Sequence, residues 1–262
     1  MRIRLRDVAE RAGVSEATVS RVMNAKPAVA ATTRRDVLAV LGEMGYEPPG
    51  LRGEPRPGLV GLMLPELDNP IFPAYAQALE SRLLARGYVS VLCCAGRIGA
   101  SEDDYLPTLF DHGVVGLVVV SGRHADLDGD HAIYERLVQR HLPLVFVNGR
   151  VDGLDVPSVS SDETAAAAIA IEHLAHLGHR RVGMLTGPTH YLPVVRRLEG
   201  YRTAIEQWGL DRDERLVVSS MFTVAGGRVG AQQILDAGAT AIVAGSDVMA
   251  LGAIHAARDA GL

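Results

Sequence analysis

From Leu59 onward the chain alternates short apolar runs with longer amphipathic stretches, and that rhythm restricts its fold more than any other feature. The apolar runs are Leu59–Leu64, Val89–Cys94, Gly116–Val120, Leu144–Val147, Arg181–Leu185 and Ala241–Ala244. Stretches with helical spacing lie between them at Pro73–Arg86, Ala132–Arg140, Glu163–Leu177, Arg197–Trp208 and Ala225–Ala237. Short runs that are almost wholly apolar read as strands covered on both sides. Strands separated by helices are joined by crossovers, which makes the sheets parallel. In such sheets ligands bind beyond the carboxyl ends of the strands. Polar and aromatic residues gather there: Asp68, Asn69 and Phe72 after the first run, Asn148 after the fourth, and Ser246 and Asp247 after the last. Asp152–Ser161 reads as a crossing between two lobes, 59–157 and 158–262.

The amino-terminal segment is different in kind. Leu5-Arg-Asp-Val-Ala-Glu-Arg-Ala-Gly-Val-Ser-Glu-Ala-Thr-Val-Ser-Arg-Val-Met-Asn24 reads as two short helices joined by a tight turn. Val8, Ala9 and Ala12 form an apolar stripe, and Gly13 stands where a helix ends in a left-handed residue. Ser15 supplies the hydroxyl that caps the second helix, whose inner side is Val19, Val22 and Met23. Its outer side carries Glu16, Ala17, Thr18, Ser20 and Arg21. Short residues, hydroxyls and one guanidinium suit the major groove, with hydroxyls on phosphates and Arg21 on a guanine edge. A third helix is expected at Thr32–Met44, with Val37, Leu38 and Leu41 inward, Gly45 as its stop, and Arg34 and Arg35 within reach of phosphates. Four prolines and three glycines among residues 46–58 then mark a linker. The expected organisation is a helix-turn-helix DNA-binding head at 1–46, a hinge at 47–58 and two lobes beyond it.

Charge divides at the same place. Residues 1–58 carry ten Lys/Arg against seven Asp/Glu, and the remainder sixteen against twenty-four, within a net charge of −5. A mildly basic head on an acidic body fits a DNA-docking module joined to one that does not touch DNA. The 262 residues and 48% hydrophobic content allow more than one core. The two cysteines, Cys93 and Cys94, are adjacent and read as a reduced, buried pair. No secretory signal or membrane-length apolar stretch is evident, so a cytoplasmic, nucleoid-associated protein without membrane contact is expected.

Taken together, these motifs resemble the lactose-repressor/galactose-repressor (LacI/GalR-type) family of bacterial transcription regulators. The head matches the family's D-V-A-x-x-A-G-V-S-x-x-T-V-S-R-V-x-N at every fixed position. Tyr46-x-Pro48 is similar to the family's exit from the head, and Asp68-Asn-Pro-Ile-Phe72 to its N-P-F-F turn. His173-Leu-Ala-His-Leu-Gly-His-Arg-Arg-Val182 followed by Gly187-Pro188, Arg197-Leu-x-Gly-Tyr201, and Ser246-Asp-x-Met-Ala-Leu-Gly252 complete the series. The resemblance implies a small all-α helix-turn-helix head on an α/β body like a periplasmic binding protein, with two doubly wound parallel-sheet lobes. It implies base reading by Glu16, Ala17 and Arg21, and backbone contacts by Thr18, Ser20 and Asn24, with Ser15 beside them. Phe72, Asn148, Arg197, Phe222 and Asp247 match positions lining the effector cleft, and Asn69 and Ser246 adjoin them. Carboxylate, amide and guanidinium suit the hydroxyls of a sugar or related polyol, and a ring at 72 or 222 could cover an apolar sugar face; a purine is the alternative ligand. The implied partners are palindromic operator DNA, a small-molecule effector and a second copy of the chain, with a tetramer as the larger alternative. The implied function is that of a repressor that is not an enzyme and needs no cofactor.

The chain departs from this pattern in three places. Arg4 stands where the family caps its first helix with Ser or Thr, a loss of about 1 kcal/mol that Asp7 offsets in part through the helix dipole. Leu51 is the candidate minor-groove wedge of the hinge, but it comes about four residues, or one helical turn, early and follows Pro49-Gly50. The family continues past Asp259-Ala-Gly-Leu262, so the second lobe is expected to be truncated, with an acidic effector residue still to come.

Three other motifs carry no chemistry on this reading. His173, His176 and His179 lack a fourth ligand nearby, and the third follows Gly178, so a zinc site is not expected. Gly226-Gly227-Arg-Val-Gly230 has the wrong spacing for a dinucleotide fingerprint, with no strand expected to feed it. Gly245-Ser246-Asp247 lacks the second glycine of a nucleophile elbow and a placed histidine.

Overall fold

The α/β core is organised by two parallel sheets whose inner strands β1, β3, β4 and β6 are buried on both faces. A computed structural model describes residues 5–23, 29–44, 58–96 and 99–262. Two compact units result, Met1–Gly58 and Leu59–Leu262.

The first unit contains α1 (Leu5–Ala12), α2 (Glu16–Met23) and α3 (Ala31–Glu43). Their shared core is Val8, Ala9, Val19, Val22, Val37 and Leu41, all buried. Gly13 has φ +63° and closes α1, and the Val14 amide donates to the Ala9 carbonyl at 3.0 Å. That bond and the left-handed glycine form a Schellman stop, which turns the chain sharply enough to pack α2 on α1. The Thr18 amide then donates to Ser15 Oγ at 3.2 Å, the expected cap of α2. Arg4, Asn24, Gly45 and the proposed hinge with Leu51 lie outside the described residues.

The second unit runs β1 (Gly58–Leu64), α4 (Ile71–Leu84), β2 (Tyr88–Cys94), α5 (Glu102–Asp111), β3 (Gly116–Val120), α6 (Ala132–Gln139), β4 (Leu144–Val147) and β5 (Ser158–Val159). It continues through α7 (Glu163–His176), β6 (Val182–Thr186), α8 (Leu192–Gln207), β7 (Val217–Ser219), α9 (Val224–Asp236), β8 (Ala241–Ala244) and α10 (Asp247–Asp259). The first sheet has the order β2-β1-β3-β4-β5 and the second β7-β6-β8. The β1–β3, β3–β4, β4–β5, β6–β7 and β6–β8 pairs are all parallel. Alternate residues face opposite layers: Val182 and Met184 pack with Ile171 and Tyr201 of α7 and α8, while Leu185 packs with Ile234 and Met249 of α9 and α10.

The six apolar runs are strands within a residue of their expected bounds, and the structure adds elements that periodicity did not show. Helix α5 contains Pro107, which reads as a breaker; it is held at its start by Asp104, whose Oδ2 accepts from the Ser101 amide and hydroxyl at 2.8 and 2.7 Å. Helix α8 begins at Leu192 rather than Arg197, because Pro193 sits in the first turn, where a missing N–H costs nothing. Strands β5 and β7 are too short for alternation to register. Because β5 pairs with β4, the expected division at 157/158 falls before the last strand of the first sheet. A strand, β7, does precede Gly226-Gly227, but both glycines lie inside α9 and serve packing. A Cβ on Gly227 would stand 2.3 Å from the Met249 carbonyl oxygen, and one on Gly252 2.1 Å from that of Val224. The α9 and α10 backbones therefore touch. Among the described residues no helix is long and apolar enough to cross a membrane.

A buried polar network fixes the loop after β3, which carries a contact with the second lobe. Glu102 accepts the Tyr134 hydroxyl through Oε2 and the Arg123 amide through Oε1, the latter at 2.8 Å. His124 stacks on Phe146 at 4.4 Å, and its Nε2 donates to the Val147 carbonyl at 3.1 Å. His131 Nε2 lies 3.0 Å from the carbonyls of Arg123 and Asp126. The anchored strand of chain then meets the second lobe. Asp126 and Tyr191 form an antiparallel bridge, the Leu127 amide donates to the His190 carbonyl at 2.8 Å, and His190 Nε2 lies 3.9 Å from Asp126 Oδ2.

Two outcomes follow from this packing. Gly252→Val should lower stability by about 1–3 kcal/mol in urea titrations, because rigid backbone meets the added methyls; unchanged stability would show that α9 and α10 can part freely. Burial drives the His124 pKa from 6.5 down to about 4. The unfolded chain therefore binds this proton at higher pH than the native one, and stability falls as pH drops from 6.5 toward 4. The loss amounts to about 3 kcal/mol and levels off below that window. His124→Gln should flatten the slope relative to wild type; identical slopes in a pH series of denaturation curves would contradict the assignment.

Candidate nucleic-acid interface and effector cleft

The outer face of α2 is the candidate nucleic-acid interface. Ser15, Glu16, Ala17 and Arg21 are exposed, whereas Thr18 and Ser20 are half-buried. Ser15 Oγ and Thr18 Oγ1 lie 2.9 Å apart, and Ser15 Oγ also accepts the Thr18 amide. One hydroxyl donates to the other, so one hydroxyl proton of the pair stays available to an outside acceptor such as a phosphate oxygen. Arg35 pairs with Asp36 at 3.8 Å, and Arg34 is half-buried. Of the expected DNA contacts, Asn24 and Leu51 lie outside the described residues.

The carboxyl ends of the two sheets form the candidate effector cleft. On the first lobe, Asn69 lies just before α4, its Oδ1 accepting the Ile71 amide at 3.3 Å and its carbonyl the Phe72 amide at 3.1 Å. The Phe72 ring packs against Leu64, Val120 and Val147 and is only partly buried. Asn148, at the end of β4, has φ +62° and donates through Nδ2 to Ser121 Oγ at 3.1 Å; Ser121 itself has φ +48°. Two non-glycine residues held left-handed side by side mark a site where neighbouring structure overrides backbone preference.

On the second lobe, Ser246 caps α10 by accepting the Met249 amide at 3.4 Å, and Asp247 is exposed in the first turn. Phe222 sits on Gly187, where a Cβ would come within 2.0 Å of the ring. The ring joins both faces of the second core. Arg197 is held on two sides. Glu163 Oε2 accepts from its Nε at 2.9 Å and also from Nη2, and the Gly245 carbonyl accepts from Nη1 at 2.6 Å. Thr186, at the carboxyl end of β6, is fully buried, with no partner for its Oγ1 among the described residues.

A recess between the lobes is lined by Asn148, Gly149, Ser160, Glu163, Leu192, Pro193 and Arg196. Of the seven expected effector residues, only Asn148 lines it; Asn69, Phe72, Arg197, Phe222, Ser246 and Asp247 lie elsewhere along the strand ends. Glu163, Ser160 and Arg196 were not singled out from the sequence. Glu163 follows the helix-capping Asp162, and in sequence it reads as a favourable charge at a helix start, which hides its contact with Arg197. The three histidines of 173–179 diverge: His176 packs edge-on against Trp208, and His179 Nδ1 lies 3.0 Å from Thr240 Oγ1.

This architecture has known counterparts. Residues 58–262 match the family described as periplasmic binding proteins and sugar binding domain of the LacI family, and residues 4–49 match bacterial regulatory proteins, lacI family. The chain is 47% identical over 267 residues to the HTH-type transcriptional regulator reg1 of Streptomyces lividans, covering 100% of this chain and 77% of that protein. It is also 47% identical over 266 residues to the HTH-type transcriptional regulator MalR of Streptomyces coelicolor, with the same coverage. Among solved structures, the lac repressor dimer bound to operator and the anti-inducer ONPF aligns with TM-score 0.69 and 28% identity, over 100% of this chain and 79% of that one. The complex of the transcriptional regulator CelR with cellobiose aligns with TM-score 0.68 and 29% identity, over 99% and 79%. The relatives are named as regulators rather than enzymes. With a helical head matched by one family model and a parallel-sheet body matched by the other, the chain belongs to the LacI family of bacterial transcriptional regulators, joining a DNA-binding domain to a sugar-binding domain.

Proposed function

We propose that the chain is a repressor that reads a palindromic operator as a dimer and is switched by a sugar or related polyol bound between its lobes. The observation that carries this reading is the pairing, in one chain, of an exposed Glu16–Ala17–Arg21 face with a polar cleft at the strand ends. On this reading Arg21 forks onto a guanine edge, Glu16 and Ala17 meet neighbouring bases, and Ser15, Thr18 and Ser20 hold phosphates. Asn24 and Leu51 complete the proposed DNA contacts, with residues 1–46 as head and 47–58 as hinge.

A single head buries too little surface for tight, specific binding, which favours a dimer. Exposed apolar side chains support one: Leu84 of α4 with Val89 and Leu92 of the edge strand β2, and Val229 with Leu251 and Ile254 of α9 and α10. A two-fold dimer would set two recognition helices on half-sites one helical turn apart. Asn69, Phe72, Asn148, Arg197, Phe222, Ser246 and Asp247 are proposed to hold the effector as the lobes close, burying polar groups against hydroxyls. The CelR structure holds cellobiose, which supports a saccharide here. Ligand acts through its differential affinity for the open and closed lobes, and closure changes how the heads are presented.

Salt-titrated gel shifts of the full chain on palindromes upstream of its own gene test the reading, and equal affinity for random DNA would end it. Arg21→Ala should cost about 1–3 kcal/mol on the preferred operator and relax the choice at one base, while Thr18→Ala should weaken all sequences evenly. Thermal-shift screening with ribose, glucose, maltose and cellobiose identifies the ligand class. Arg197→Ala should abolish the effect of that ligand on operator binding while the protein still binds DNA; loss of DNA binding as well would assign Arg197 to folding instead.

A further inference from the structure

We propose that the Asp126–Tyr191 bridge is a latch that holds the cleft shut and must part for an effector to bind; the inference rests on the effector reading above. The recess between the lobes has no room for a water molecule. A sugar therefore reaches its polar lining only after the lobes separate there, and they then close on it at a wider spacing. Two ties between the lobes border this recess. Gly149 and Ser160, near the two ends of the covalent crossing, line it. So do Leu192 and Pro193, which directly follow Tyr191. On the first lobe, a Cβ on Gly149 would stand 2.6 Å from the Cβ of Ala125, the neighbour of Asp126. The crossing is continuous chain and cannot release. The bridge can.

Both halves of the latch are built within their own lobes. The Asp126 carbonyl accepts the Gly129 amide at 3.2 Å and lies 3.0 Å from His131 Nε2, while Asp126 Oδ1 accepts the Asp128 amide at 3.0 Å. Opposite, the Tyr191 amide donates to the Pro188 carbonyl at 3.3 Å, and the His190 ring lies 4.4 Å from that of Tyr191. Joining two preformed halves orders little chain, so the contact keeps most of its strength. What joins them is small: the Leu127 amide on the His190 carbonyl at 2.8 Å, and Asp126 Oδ2 at 3.9 Å from His190 Nε2. A hydrogen bond exchanged for one with water shifts an equilibrium by about two- to tenfold. That keeps the cleft mostly shut and lets a ligand outweigh it, at the cost of an apparent affinity lowered by the same factor.

The test uses the full chain, with ribose, glucose, maltose and cellobiose as probes. Asp126 and Tyr191 face each other with the hydrogen bond made by their neighbours, a pairing that sets Cα atoms about 4.5 Å apart, within disulfide range. Asp126→Cys with Tyr191→Cys, once oxidised, should lose the melting shift that a sugar gives wild type and regain it in dithiothreitol. Wild type, with only Cys93 and Cys94, takes the same oxidant as control. Leu127→Pro works in the opposite direction. It removes the donor, and Asp126, at φ −88° and ψ 114°, already has the conformation that precedes a proline. By isothermal titration calorimetry its sugar affinity should rise about two- to tenfold. Melting temperatures show that each variant is folded; where Leu127→Pro is not, Asp126→Ala with His190→Ala takes its place. Equal melting shifts in the oxidised and reduced cysteine variant overturn the proposal, as does unchanged affinity in Leu127→Pro. Hydrogen exchange of the Leu127 amide reads the latch without any sugar. Asp126→Ala with His190→Ala should speed that exchange at least about twofold, and unchanged exchange overturns the latch. Failure of the effector reading looks different: no sugar then shifts wild-type melting or operator binding, and amide exchange still decides the latch.

Discussion

Parallel pairing, with the inner strands buried on both faces, is the constraint on which the body depends. Every face-directed side chain of β1, β3, β4 and β6 is committed to packing, as the burial of Leu62, Val119, Phe146 and Met184 shows. Chemistry is thereby confined to the ends of strands, where Asn148, Thr186 and Ser246 lie. Parallel strands all point the same way, so the carboxyl ends of a sheet collect on one rim. A cleft between two such rims is a consequence of topology before any ligand is considered.

The contact between the lobes differs in kind from the packing inside them. The lobes meet through the crossing after β5 and through a small polar contact at Asp126–Leu127 and His190–Tyr191. Hydrogen bonds of this kind exchange with water at little net cost, in contrast to the apolar packing inside each lobe. Each lobe is thus held by an apolar core of its own, while the contact at residues 126–127 and 190–191 is made by polar groups. The Glu102–Tyr134–Arg123 network keeps the first lobe's side of that contact in register, since a loop holding Ser121 in a left-handed conformation would relax without it.

The head was legible almost residue by residue. Its helices are short, and the turn between α1 and α2 carries local signals: Gly13 with a positive φ, Ser15 with its hydroxyl on an amide, and an apolar stripe that meets its neighbour. In the body, the long apolar runs and helices were equally legible, because burial on both faces leaves an unbroken apolar signature. Elements whose reason to exist is tertiary were not. The two residues of β5 form a strand only because β4 offers them a ladder, and Pro107 is tolerated in α5 by a helix anchored elsewhere.

The sequence by itself determined the order of modules, the sheet type, the outward face of α2 and the residue types at the strand ends, since periodicity, capping and motif spacing are local properties. Tertiary structure alone decided which of those residues share a surface. It set Glu163 against Arg197 across 34 positions of chain, buried His124 against Phe146, and turned two glycines into a helix–helix contact. Ion pairing and close packing depend on distances that folding creates, and no spacing along the chain encodes them.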